Sequence, residues 1–229
     1  MRYYLRAAVN GCLCEHEKRE AVTYYEFKSE FNEYPVLSEI ALTYRCNLNC
    51  EFCYVGDKKY GELNTNDTKK ILFKIYHEAK VPSVSFTGGE PLLRKDIRTL
   101  VEYAAKIGLW INVITNGTLL TREIVENLKK AGLSSAQVSI EGPNSAIHDA
   151  ITGIPGSFNR TVRGLKLLLE ADIPVHTNTT VSRNNVNHLE KILLLAKKIG
   201  LSRLSMNLLI PCGSAFSKKI KKFRSANVG

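Results

Sequence analysis

The sequence predicts an α/β protein built around a parallel sheet, and three observations predict it. Six short β-like runs recur along the chain, segments with helical spacing separate them, and glycines stand where those segments end. The β-like runs are Glu39–Thr43, Ser83–Phe86, Trp110–Ile114, Ala136–Ile140, Val175–Val181 and Arg203–Leu209. They are short and bounded by Gly, Pro or Asn, as buried parallel strands are.

The intervening segments carry apolar residues three and four apart. Ile71, Leu72, Ile75, Tyr76 and Ala79 form the first stripe, and Ile97, Leu100, Val101, Ala104 and Ala105 the second. Ile124, Val125, Leu128 and Ala131 form the third; Val162, Leu165, Leu168 and Leu169 the fourth; Leu189, Ile192, Leu193, Ala196 and Ile199 the fifth. This is the spacing of one helix face against a core. Gly108, Gly132 and Gly200 are expected at helix C-termini, and Asn66 or Asp67, Thr121 and Asn187 at N-termini. Strand and helix in strict alternation imply right-handed parallel crossovers. Periodicity alone leaves an open sheet and a curved partial barrel equally consistent. Residues 1–35 stand outside the repeat and are expected to form an N-terminal appendage, with Tyr24, Phe27 and Phe31 on one helix face.

Composition narrows the function classes. The 229 residues are 44% hydrophobic and 24% charged, ordinary for a globular chain with a full core. The formal charge of +10 raises the question of nucleic acid. The Lys and Arg residues are spread over helical segments, and the one basic run is Lys218 to Arg224. That pattern reads as solvated helix faces plus a tail. An anionic substrate or an acidic electron-donor protein also suits such a surface. No apolar stretch reaches membrane-spanning length. The apolar run from Leu5 to Val9 is too short for a signal and is broken by Asn10 and Gly11, so the expected location is the cytoplasm. Six cysteines in a reducing compartment point to metal or redox use before disulfides.

Each β-like run is followed by residues that a plain connecting loop does not need. Cys46-Asn47-Leu48-Asn49-Cys50-Glu51-Phe52-Cys53 follows the first, and Thr87-Gly88-Gly89-Glu90-Pro91 the second. Thr115-Asn116-Gly117 follows the third, and Glu141-Gly142 with His148-Asp149 the fourth. The fifth carries Asn178 and leads to Ser182-Arg183-Asn184, and the sixth leads to Pro211-Cys212-Gly213. Parallel α/β folds gather their sites at the carboxyl ends of strands, so these motifs mark one shared site. Three thiols within eight positions of a polar loop suit soft metals, zinc or an iron–sulfur cluster. Structural zinc normally takes four protein ligands, and a cubane cluster is normally held by four thiolates. Three would leave one iron open to a ligand. His148-Asp149 reads more simply as a capping pair than as a donor to substrate. Thr115, Asn116, Asn178 and Ser182 are read equally well as turn and cap residues.

At these residues the sequence resembles the radical S-adenosylmethionine (SAM) superfamily. The CxxxCxΦC loop is met by Cys46, Cys50, Phe52 and Cys53, and the GGEP motif by Gly88, Gly89, Glu90 and Pro91. The resemblance covers roughly residues 36–213 and implies a partial (β/α)6 barrel, with residues 214–229 as a basic tail. It implies a [4Fe–4S] cluster on Cys46, Cys50 and Cys53, and SAM as the second cofactor. SAM would be cleaved reductively to a 5′-deoxyadenosyl radical that takes hydrogen from substrate. It implies that Phe52 packs near adenine and that the Gly88–Pro91 backbone receives the methionine amino group. Thr115, Asn116, Ser139, Glu141, Asn178 and Ser182 would reach the ribose and methionine groups, with Glu90 and Glu141 orienting SAM. Leu208 to Pro211 would offer adenine backbone and apolar surface. A low-potential ferredoxin or flavodoxin is the implied electron donor.

Longer phrases around Thr87–Leu93, Ile114–Leu120, Gly153–Phe158 and Met206–Gly213 resemble the SPASM-type maturases of cofactors and peptides. The haem-synthesis and tungsten-cofactor members are the expected neighbours, and the expected substrate is a cofactor precursor or a peptide. The sequence departs from that branch in three places. The cysteine-rich C-terminal domain for auxiliary clusters is expected to be missing. Thr152 stands where some members have an arginine for the SAM carboxylate, and Ser214 where an arginine is frequent. Two other readings remain: a cluster- and SAM-binding remnant without catalysis, and a zinc-stabilised binding module. Cys12, Cys14 and Cys212 have no assigned role.

Overall fold

A computed structural model describes residues 35–55 and 61–217. Most of the appendage and residues 218–229 of the basic tail lie outside the described residues, as do Cys12, Cys14 and the aromatic stripe of Tyr24, Phe27 and Phe31. Six parallel strands run in sequential order: β1 Ser38–Thr43, β2 Ser83–Gly88, β3 Trp110–Thr115, β4 Ser135–Ser139, β5 Val175–Val181 and β6 Leu204–Leu208. Each pairs with the next, and the sheet stays open between its edges β1 and β6.

Helices α1 Thr65–Phe73, α2 Ile97–Lys106, α3 Arg122–Lys130, α5 Ser157–Glu170 and α6 Leu189–Ile199 follow the five apolar stripes, the first of which runs on from α1 through a π-helical turn at Lys74–Glu78. Their buried faces meet the outward side chains of the strands. Leu72, Phe86, Leu100, Ile111, Leu165 and Ile192 are fully buried there and form one cluster. Thr121 caps α3, its hydroxyl accepting from Ile124 N at 3.2 Å. Helix α1 is capped by Asn64 rather than Asn66 or Asp67, because the Asn64 carboxamide reaches Asp67 N at 2.9 Å. Asn187 is not a cap: a 3₁₀ turn at Val186–His188 precedes α6 and takes up the entering chain. Gly108, Gly132 and Gly200 all have φ between +93° and +98°, the left-handed conformation that ends a helix.

Two elements escape the periodicity. Helix α4, Ser145–Thr152, follows β4, and the short α7, Gly213–Ser217, follows β6. His148 and Asp149 therefore sit on a helix rather than in a loop. The Asp149 carboxylate accepts from Gly156 N, Phe158 N and Ser157 Oγ at 2.6–2.8 Å and so caps α5.

The strands are not covered on both faces. Along β3 and β5, buried residues alternate strictly with half-buried ones. Val113, Val138 and Val175 face the helices, whereas Asn112, Gln137, His176 and Asn178 line the concave side. Closed barrels fill that side with packed apolar layers. Here it is polar and accessible, because an open sheet encloses space that its own side chains do not fill.

Beneath the rim, Arg94 is a buried clamp at 5% exposure. Its Nη1 donates to the carbonyls of Leu42 and Leu63, both at 2.9 Å, and its other nitrogens hold Asp96 at 2.6 and 2.8 Å. Asp96 also accepts from Thr65 Oγ1 at 2.6 Å, which ties the end of β1 to the starts of α1 and α2. The Arg94 hydrogen bonds, opposed by partial burial, hold the Asp96 carboxyl at about 2, below its usual 3.8. A depressed folded-state pKa stabilises the fold above pH 3.8, and that contribution is lost as pH falls through about 2. In denaturant titrations, Asp96→Asn is expected to be less stable than the parent at neutral pH, with the difference closing toward pH 2. A difference that stays constant with pH would show that Asp96 carries no such role.

Candidate active site

The loop from Cys46 to Cys53 leaves β1 at the carboxyl edge of the sheet and is held from three sides. On the first side, β2 passes so close that only glycine fits. Gly89 N donates to Thr43 O at 2.7 Å and Glu90 N to Arg45 O at 2.8 Å. A Cβ on Gly88 would stand 2.2 Å from Thr43 O, and one on Gly89 would stand 2.1 Å from Arg45 O. The β1–β2 register also shifts between Ala41 and Thr43, an irregularity typical of a functional rim. The paired glycines thus serve the approach of two chain segments as well as the cavity they line.

On the second side stands α4. Its last carbonyls, Ile151 O and Thr152 O, accept from Glu51 N at 3.0 Å and Asn49 N at 2.9 Å. Gly153, at φ +72°, turns beneath Asn49, where a Cβ would come within 2.8 Å of the Asn49 carbonyl. On the third side, Ser214 N at the start of α7 donates to Cys53 O at 2.8 Å. Asn184 adds a side-chain bond from Nδ2 to Glu51 Oε1 at 2.7 Å.

The loop opens on a cavity of about 570 Å³ at the mouth of the sheet. All three thiols of Cys46, Cys50 and Cys53 line it, together with Phe52, Gly88, Gly89, Thr115, Asn116, Ser139, Glu141 and Asn178. The side chains of Glu90, Pro91 and Ser182 do not line it. Glu90 is wholly buried behind the wall, its oxygens accepting from Leu92 N at 3.0 Å, Thr115 Oγ1 at 2.8 Å and Asn116 N at 2.8 Å. It brackets the ends of β2 and β3, and burial outweighs those donors in raising its pKa. Pro91 is buried at the start of a 3₁₀ turn. Ser182 is buried in the turn after β5, where its hydroxyl accepts from Asn184 N.

Glu39, Gln137, Thr180 and Asn207 also line the cavity and carried no motif. The available signal was the alternation of polar residues within the strands, which points one set of side chains inward. Leu208, Leu209, Ile210 and Cys212 close the β6 side.

The electrostatics concentrate at Cys50 and Glu141. Burial pushes the Cys50 thiol well up, and Glu141, Cys46 and Cys53 add to the rise. A metal that binds Cys50 must therefore displace its proton. Among the described residues no three Cys, His, Asp or Glu side chains converge on a single metal ion; thiols on one docked loop beside an open cavity suit instead an iron–sulfur cluster, whose ligands sit at separate corners. Glu141 is pinned at its main chain by His148 Nδ1, which accepts from Glu141 N at 3.2 Å, and by Asn185 Nδ2, which donates to Glu141 O at 3.0 Å. Its Oε2 accepts from Thr180 N at 2.8 Å. Burial raises the Glu141 carboxyl to about 8, with Glu51 adding to the rise and the Thr180 N–H opposing it. Burial holds His148 down at about 4, so it is a neutral acceptor at Nδ1.

The model of the radical SAM superfamily matches residues 40–196. The AdoMet-dependent heme synthase of Methanosarcina barkeri is 40% identical over 182 residues, covering 78% of this chain and 52% of that protein. The PqqA peptide cyclase of Bradyrhizobium diazoefficiens is 33% identical over 175 residues, covering 75% and 46%. The chain spans about half the length of these curated relatives. Among solved structures, Streptococcus suis SuiB bound to precursor peptide SuiA aligns with a TM-score of 0.72 at 21% identity, over 83% of this chain and 43% of that one. The anSMEcpe structure with bound AdoMet aligns at 0.66 and 22% identity, over 76% and 51%. At such identities the likeness is one of fold, and it agrees with the partial barrel.

Two outcomes follow from this geometry. Gly89→Ala forces the β2 turn away from Arg45 and is expected to cost about 1–3 kcal/mol in thermal unfolding, as overpacking does. Glu141 has a raised folded-state pKa, so the metal-free protein is expected to lose stability as pH rises from 4.5 through about 8. Glu141→Gln should flatten that slope, and an unchanged slope would place the titration elsewhere.

Proposed function

Since the chain belongs to the radical SAM superfamily, we propose that it carries a [4Fe–4S] cluster on Cys46, Cys50 and Cys53 and uses SAM to abstract hydrogen from a cofactor precursor or peptide. The observation that carries the reading is that the three thiols and the Gly88–Gly89 turn face one cavity at the carboxyl edge of the sheet. A cluster bound there would pass one electron to SAM, releasing methionine and a 5′-deoxyadenosyl radical.

The chain's own residues hold and orient. The Gly88–Pro91 backbone receives the methionine amino group, because the glycines leave main-chain atoms uncovered at the cavity wall. Phe52 and the apolar wall of Leu208 to Ile210 take the adenine. Ser139, Glu141, Thr115 and Asn178 meet the ribose and methionine groups from β3 to β5. Glu90 acts from behind the wall, fixing Thr115 and Asn116 rather than touching the cofactor. Ser182 likewise acts on the turn that presents Asn185 to Glu141. Asn116 has its carboxamide committed to protein partners and contributes through them.

The half-buried polar residues of the concave face, Gln137, His176 and Asn178, together with the exposed Asn207, support a substrate that enters between β1 and β6. The relatives named for heme synthesis and for peptide cyclisation support either a tetrapyrrole precursor or a peptide. A low-potential ferredoxin or flavodoxin is the proposed donor, and the cytoplasm the proposed location. No helix among the described residues is long and apolar enough to cross a membrane.

Anaerobic reconstitution with iron and sulfide, followed by reductant and SAM, tests this. We expect brown, oxygen-sensitive protein that forms 5′-deoxyadenosine, with formation lost in Cys50→Ala. Cluster uptake without SAM cleavage would select a binding remnant, and colourless protein with stoichiometric zinc would select a zinc-stabilised module.

A further inference from the structure

Behind Cys46, three side chains close a ring of hydrogen bonds. Asn116 Nδ2 donates to Asn47 Oδ1 at 2.9 Å, Asn47 Nδ2 to Thr118 Oγ1 at 2.8 Å, and Thr118 Oγ1 to Asn116 Oδ1 at 2.6 Å. The orientation of the ring is forced. Thr118 N, which can only donate, meets Asn116 Oδ1 at 2.9 Å, so the amide nitrogen of Asn116 must face Asn47. That in turn leaves Asn47 its nitrogen for Thr118. The ring joins the cysteine loop to the loop after β3, some seventy positions away in sequence.

The β3 side of the ring is rigid. Asn116 N is held by Glu90 Oε2 at 2.8 Å, and Asn116 O accepts from Thr161 Oγ1 at 2.8 Å. Thr118 is 4% exposed, and Gly117, at φ +73°, packs so that a Cβ would stand 3.0 Å from Val138 Cγ1. Asn47 is the residue next to Cys46, so the ring transmits this rigidity to the first thiol. It also brings a donor: Asn116 Nδ2 lies 3.9 Å from Cys46 Sγ, at the far end of N–H···S contact, while Leu48 N lies at 3.4 Å. At the other thiols the surroundings differ, since Cys50 stands beside buried Glu141.

We infer that the Asn47–Thr118–Asn116 ring positions the Cys46 thiolate and raises the reduction potential of the cluster it helps to hold. This rests on the cluster assignment proposed above. Hydrogen bonds to a ligating sulfur stabilise the reduced, more negative state, and partners behind a ligand govern how firmly it holds metal. Asn116, Asn47 and Thr118 are positioning residues: they act through Cys46 and not on substrate.

The test uses the full chain, reconstituted anaerobically, with redox titration followed by electron paramagnetic resonance and with iron release to a chelator. Thr118→Val removes the hydroxyl and keeps the shape; Asn116→Asp removes the amide donor; Thr118→Ser restores the hydroxyl. In Thr118→Val and Asn116→Asp we expect a more negative midpoint potential and iron release about 10–100-fold faster. Thr118→Ser is expected to behave as the parent. A parent that binds a cluster, with both variants at the parental potential and release rate, overturns the inference alone. A parent that takes up no cluster overturns the cysteine assignment first, and the inference with it.

Discussion

The docking of one eight-residue loop governs the arrangement of this site. The loop from Cys46 to Cys53 has little secondary structure of its own, so its shape comes from the groups that satisfy its backbone. The turn after β2 supplies two N–H groups to the carbonyls just ahead of it, α4 supplies two carbonyls to its middle, and α7 supplies an N–H to its end. Buried or half-buried backbone groups must find partners, and the three sets found here follow three different strands, β2, β4 and β6. The thiols are therefore placed by the whole rim of the sheet and not by their own spacing.

Buried polar side chains do the same work one layer deeper. Glu90, Arg94 and Glu141 each join segments that are distant in sequence, and each is hydrogen-bonded at several atoms. An isolated charge in such a place would cost several kcal/mol, whereas a fully partnered one specifies a single arrangement. The acidic residue of the GGEP motif illustrates this. Its carboxylate faces inward and sets the positions of Thr115 and Asn116, so its influence on the cavity is exerted through the neighbouring wall.

The concave face explains how one fold can accompany different substrates. Its strands present amide, hydroxyl and imidazole groups to an open space, while their other faces bury valine, isoleucine and phenylalanine against helices. Stability resides on the helix side, so the inward positions are free to vary with little cost to the core. Relatives named for heme synthesis and for peptide cyclisation share this half of their length with the chain.

Much of this was legible in the sequence by itself. Short β-like runs bounded by Gly, Pro or Asn, apolar stripes and terminal glycines located six strands and five helices within a few residues, because those signals reflect local geometry. The cysteine loop and the glycine pair pointed to one edge, because parallel crossovers bring every strand end to the same side. What only the tertiary structure decided is which side chains reach the cavity. Glu90 turned inward, Asn116 became part of a ring with Asn47 and Thr118, and His148 lay on a helix, because each is placed by partners 26 to 71 positions away or by a helix too short to register as a stripe. Local pattern carries strand and helix, since those are set by neighbours a few residues apart. The orientation of a polar side chain at a rim is set by long-range hydrogen bonds, which no window of sequence contains.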